Sequence, residues 1–219
     1  MSTPLPRVLL TGFDPFGGQP INPSWEAVKQ LDGRRIAGHR IVARQLPTEF
    51  AASLRLLKQA ARELKPALLL GVGQAGGRRQ LSIERVAINL IDARIADNAG
   101  AQPIDQPVIE GGPAAYLCQL PVKRMLQALQ QAGVPADISF TAGTYVCNQI
   151  AYAMAHLAAA RRGARAGFIH IPYLPQQAAL LPGGAASMAL DEIVRGLEIA
   201  LRVALQHHRD STLSAGRLD

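Results

Sequence analysis

Only two cysteines occur in 219 residues. Two cannot build a disulfide framework. Free thiols fit a reducing compartment, so a cytoplasmic location is expected. No apolar run is long enough to cross a bilayer, and no membrane association is expected. The opening MSTPLPRVLLTGFD has too short an apolar core for a secretory signal. Aromatics make up only 5% of the chain, and no Lys/Arg block interleaves with them. The net charge of +7 is scattered in pairs such as Arg34-Arg35, Arg78-Arg79 and Arg161-Arg162. That pattern reads as a solvated basic surface, not a nucleic-acid site. No His/Cys cluster has ligand spacing, so neither a metal nor another cofactor is expected. No internal repeat and no linker is visible.

What is present is a hydrophobic content of 48%, enough for one sizeable core. RVLLTGF (7–13) reads as a buried strand ended by glycine. Asn22 and Pro23 are suited to cap and open a helix in which Trp25, Val28 and Leu31 share a face. HRIVARQLP is a second strand. Thr48 is then expected to cap a helix whose stripe is Phe50, Leu54, Leu57, Ala61 and Leu64. PALLLGVG is a continuous apolar strand, as a buried parallel strand should be. LSIERVAINLID is strand-like, with Ile83, Arg85 and Ala87 alternating against Glu84, Val86 and Ile88. A Gly/Pro-rich stretch to Pro113 follows, expected as a long loop with a short hairpin. PVKRMLQALQQAG is a helix stopped by Gly133. ADISFTAG is a strand, AGTYVCNQIAYAMAHLAAARR leads into a helix ended by Gly163, and AGFIHIPYLP is the last clear strand. SMALDEIVRGLEIALRVALQHH forms a long amphipathic helix.

Strands alternating with helices imply an α/β class: one three-layer α/β/α domain over 1–208 with a mostly parallel twisted sheet. A polar tail, 209–219, is expected to fray. Such sheets place sites at the carboxyl ends of their strands. The loop after VLLTGF, Cys147 and His170 fall there.

Cys147 lies at or just before a helix N-terminus, where unpaired N–H groups and the helix dipole favour a thiolate. Two readings stand: a nucleophile, or a small hydrophobe packed in the core. Cys118 lacks comparable context and reads as packing. Among five histidines, His170 alone lies near the carboxyl end of an apolar strand. Glu84 interrupts an apolar strand. It reads either as a solvent-facing strand residue or as the carboxylate that orients an imidazole.

With these residues in view, the chain resembles the pyroglutamyl peptidase I (pyrrolidone-carboxylate peptidase) family. The motifs are VLLTGFDPFGGQPINPSWEAV, GVGQAGGRRQLSIERVAINLIDARIADNAG, AGTYVCNQIAY, GFIHIPYLPQQ and SMALDEIVRGLEIAL, spanning nearly the whole chain in order. The resemblance implies a single α/β/α domain and a cysteine peptidase that removes an N-terminal pyroglutamyl residue from peptides. It implies a homodimer or homotetramer. Cys147 falls on the family nucleophile, His170 on the base and Glu84 on the acid. Arg94 falls on the arginine that helps the tetrahedral intermediate, beside the Cys147 N–H; its other reading is a surface charge or a partner of Asp92 or Asp97. The pocket maps to Phe13, Phe16, Ile95, Tyr145 and Val146, with Asn22, Thr48 and Gln74 as polar neighbours. Asn22 and Thr48 also read as caps, Gln74 as a turn residue and the phenylalanines as core. AASMAL departs from the family's lead into the last helix. The alternative is an altered homologue that acts on another cyclic N-acyl group or binds anionic partners.

Overall fold

Strand β1 (Arg7–Phe13) alternates its side chains between two cores. Val8 and Leu10 face one, Leu9 and Phe13 the other, as the two-residue period of a strand requires. The chain then continues as α1 (Pro23–Lys29), β2 (Arg35–Ile36), β3 (His39–Leu46), α2 (Phe50–Leu64), β4 (Leu68–Gln74), β5 (Leu81–Glu84) and β6 (Val86–Ile88). It closes with β7 (Ala115–Leu117), α3 (Val122–Gln131), β8 (Ala136–Ser139), α4 (Val146–Ala159), β9 (Arg165–Ile171), α5 (Pro175–Ala178) and α6 (Leu190–Gln206). This is a computed structural model in which residues 5–181 and 183–216 are described.

The main sheet has the order β2-β3-β1-β4-β9-β5-β8. The four central strands β3, β1, β4 and β9 are parallel. β5 and β8 run parallel to each other but antiparallel to β9, and β2 is antiparallel to β3. Helices α1, α3 and α6 bury one face of the sheet, and α2 and α4 bury the other. The three-layer α/β/α class expected from the alternation of elements is therefore the observed one. Among the described residues, no helix is long and apolar enough to cross a membrane.

Two local expectations change. The LSIERVAINLID stretch is two strands, not one. It breaks at Arg85, whose N–H donates to Ser139 O (2.7 Å) and whose carbonyl accepts from Cys118 N (2.8 Å). β6 then leaves the main sheet to pair with β7. Thr48 does not cap α2. The N-cap is Glu49, without a side-chain cap bond, and Phe50 N donates to the distant carboxylate of Asp97 at 2.8 Å. In the tail, Asp210 accepts from Lys123 N and Arg124 N at 3.0 and 3.1 Å, so it closes the head of α3.

Candidate active site

Because β8 runs against β9, Cys147 does not sit at the carboxyl end of its own preceding strand. The 140–145 loop carries the head of α4 to the carboxyl end of β4 instead. Local bonds hold it there. Thr144 Oγ1 donates to Asp92 O at 2.7 Å, and Tyr145 OH to Ala96 O at 3.0 Å. Asn148 Nδ2 donates to Ile88 O and Leu90 O at 2.9 Å, and its Oδ1 accepts from Ile88 N at 3.0 Å. Asn148 is buried, so these three bonds satisfy an amide that would otherwise be costly to enclose.

Glycines let the helix come this close. A Cβ on Gly73 would stand 2.7 Å from Cys147 Sγ, and one on Gly71 would overlap the Phe168 ring. The sulfur therefore lies directly over β4. Gly73 is paired in register with His170 on β9, one strand away, a step of about 4.8 Å. His170 shares its sheet face with Phe168, two residues earlier, and the rings lie 5.0 Å apart. The imidazole and the thiol both open onto one cavity of about 370 Å³.

Behind the imidazole, His170 Nδ1 lies 2.7 Å from Glu84 Oε1, with side chains 5% and 2% exposed. The solvent-facing reading of Glu84 is thus overturned. β5 is antiparallel to β9 with Ser82 opposite His170, so residue 84 falls on the same face and one diagonal away. A carboxylate acceptor at Nδ1 fixes the tautomer with the proton there, which leaves Nε2 for the cavity. Arg78, which the motifs did not single out, donates to the same Glu84 Oε1 at 2.7 Å.

Electrostatics modify the thiolate expectation. Burial pushes the Cys147 thiol up from 9.0 to about 12; the Glu84 charge adds to this and Arg78 opposes it. A rise of that size is worth roughly 4 kcal/mol at full burial, and the sulfur's opening onto the cavity discounts it. A helix head supplies about 0.3–1 kcal/mol. Burial therefore outweighs the helix head and favours the protonated thiol.

Phe13, Phe16, Tyr145 and Val146 supply the apolar side of the cavity, and Asn22, Thr48 and Gln74 its polar side. Asn22 serves twice: Oδ1 accepts from Ser24 N at 3.0 Å as a helix cap, and Nδ2 donates to Asp14 O at 2.8 Å. Thr48 Oγ1 also donates to Asp14 O, at 3.2 Å. Gln177 Nε2 donates to Gln74 Oε1 at 3.1 Å, which turns the Gln74 Nε2 donor towards other partners. Arg94 and Ile95 are exposed and are not among the residues that line the cavity. Sequence patterns could not find Arg78, because its partners are 6 and 63 residues away.

A thiol at a helix head, an imidazole opening onto the same cavity and a carboxylate behind the imidazole are the set of groups that acyl transfer in the cysteine-hydrolase class calls for. Residues 6–207 match the family model described as Pyroglutamyl peptidase. The chain is 56% identical to pyrrolidone-carboxylate peptidase 1 of Ralstonia nicotianae, over 98% of this chain and all of that one. A crystal structure of pyroglutamyl peptidase I from Bacillus amyloliquefaciens superimposes with a TM-score of 0.91 at 47% identity, covering 96% of this chain and 100% of that one. The pyrrolidone carboxyl peptidase of Thermococcus litoralis does so with a TM-score of 0.88 at 38% identity, over 92% and 94%. The chain belongs to the pyroglutamyl peptidase family.

Proposed function

We propose that the chain removes an N-terminal pyroglutamyl residue from peptides, with Cys147 as nucleophile, His170 as base and Glu84 as the acid that holds the imidazole. His170 Nε2 takes the thiol proton as Sγ attacks the pyroglutamyl carbonyl carbon. The oxygen becomes an oxyanion beside the Cys147 N–H, one of the unpaired donors of the first turn of α4. The carbon–nitrogen bond then breaks, and His170 returns the proton to the leaving amine. A thioester remains on Cys147. Water attacks it, giving its proton to His170, and free pyroglutamate leaves as the thiol re-forms. Arg94 enters as a second oxyanion donor only if its segment swings over the cavity.

The observation that carries this reading is the chemistry of the cavity wall. Aromatic and amide side chains surround the sulfur, and no carboxylate lines the cavity among the described residues. An ordinary peptide presents an ammonium ion, which such a wall would leave unpaired. A lactam presents an N–H and a carbonyl, which amide and hydroxyl groups match. Gln74 and Thr48, which line this wall, are the amide and hydroxyl assigned to the ring in this reading.

Two free thiols suit a reducing cytoplasm. Self-association as a dimer or tetramer rests on the family resemblance, and sedimentation velocity of the full chain tests it. The activity itself is tested with fluorogenic amides of pyroglutamate, proline and glutamine in reducing buffer. Release of the amine from the pyroglutamyl amide alone is expected. Equal turnover of the prolyl amide would refute a lactam-selective wall.

A further inference from the structure

Arg78 leaves the glycine-rich turn GQAGGRRQ between β4 and β5, where Gly77 takes a φ of +86° that favours glycine. The turn aims the guanidinium at the end of β5 and at the 140–145 loop at once. Nη1 donates to Glu84 Oε1 at 2.7 Å, and Nη2 donates to Thr141 O at 3.1 Å. Thr141 lies in the 140–145 loop that leads into Cys147. The oxygen that Arg78 holds is the one that His170 Nδ1 meets. Glu84 Oε2 makes no hydrogen bond among the described residues, so all the bonding of this buried carboxylate falls on that single atom.

We propose that Arg78 is a positioning residue for acyl transfer: it fixes Glu84 for His170 and ties the carboxylate to the loop that presents the sulfur. This rests on the roles of Cys147 and His170 given above. A buried carboxylate stays ionised only beside a cation or a set of donors. Arg78 supplies that cation at 2.7 Å, on the same oxygen that His170 Nδ1 meets. The same guanidinium eases loss of the Cys147 proton.

The groups that bear on this centre come from every element packed against it. They are Glu84 on β5, His170 on β9, Arg78 on the turn and Tyr145 at the head of α4, with Asp97 beside Tyr145. Cys118, on the far side of Glu84, has Arg85 and Asp210 as further charged neighbours. Arg78 is the permanent cation that bears on Cys147. Removing it should move the proton affinity of Cys147 upward, because Arg78 opposes the rise that burial imposes on that thiol.

The experiment compares Arg78→Met and Arg78→Lys with the unaltered chain. One readout is the pH dependence of kcat and KM on a pyroglutamyl amide. The other is the pH dependence of Cys147 alkylation by iodoacetamide, followed by peptide mass. For Arg78→Met, both profiles should move alkaline by about half a unit to one unit, with kcat at neutral pH lowered about tenfold or more and KM little changed. Arg78→Lys should keep the profiles near their original position, because the charge remains while the fork to Thr141 is lost. A merely structural arginine would lower the melting temperature and leave both profiles in place, and that result overturns the proposal. Alkylation needs no substrate, so it tests Arg78 even if the unaltered chain fails to turn over the pyroglutamyl amide. That failure would count against the function reading alone.

Discussion

His170 Nδ1 and Glu84 Oε1 meet at 2.7 Å across two strands that run in opposite directions. The reversal of β5 matters to the chemistry. It sets the glutamate behind the imidazole, on the sheet face that also carries the sulfur, while Ile83 points into the opposite core. The carboxylate then holds one ring nitrogen and leaves the other for the cavity.

Glu84→Gln preserves the shape and removes the charge that stabilises the imidazolium formed during attack. We expect kcat on a pyroglutamyl amide to fall about 10²-fold or more, with KM changed by less than about threefold. Stopped-assay kinetics on the variant check this. A rise in KM with kcat unchanged would place Glu84 in substrate binding instead.

Gly73→Ala tests the seating of the sulfur. Its new methyl would fall 2.7 Å from Cys147 Sγ and 2.9 Å from the Phe168 ring. Both the thiol and the ring must move. A displacement of this order costs about 10²-fold in rate. The variant should lose that much kcat while remaining folded by circular dichroism. Full activity would mean that the sulfur does not lie over β4.

The two thiols make the fold sensitive to alkali. Burial raises Cys147 from 9.0 to about 12 and Cys118 from 9.0 to about 11. The folded state therefore binds these protons more tightly than the unfolded chain. The resulting stability is complete below pH 9 and is lost as pH climbs towards the folded values. Melting temperature should fall across this window. Cys118→Ala, which lies outside the proposed chemistry, should lessen the slope while leaving pyroglutamyl turnover in place. An unchanged slope in that variant would contradict the assignment of the alkaline loss to Cys118.

Much of the frame was legible in the sequence because it depends on local pattern. Continuous apolar runs marked β1, β4 and β9. Asn22 and Pro23 marked the start of α1, where Asn22 does accept from Ser24 N. Gly133 stops α3 with a φ of +70°. What was not legible depends on contacts distant in sequence. Thr48 looked like a cap, yet Asp97 performs that task from 47 residues away. Glu84 could be read either way until β9 was placed beside it. Strand direction was hidden for β5 and β8, since an apolar strand looks alike whichever way it runs. The motifs brought Cys147, His170, Phe13, Phe16, Tyr145 and Val146 to one cavity. They did not indicate that Arg94 and Ile95 would stand outside its wall, or that Arg78 would stand inside it.

The most direct measurement is to trap the acyl group. The protein is mixed with excess pyroglutamyl amide, quenched in acid within the first turnovers, and digested for peptide mass analysis. A 5-oxoprolyl thioester on the peptide that carries Cys147, absent from Cys147→Ser along with turnover, is the expected result. Undiminished turnover in Cys147→Ser, or an acyl group found only on Cys118, would contradict it.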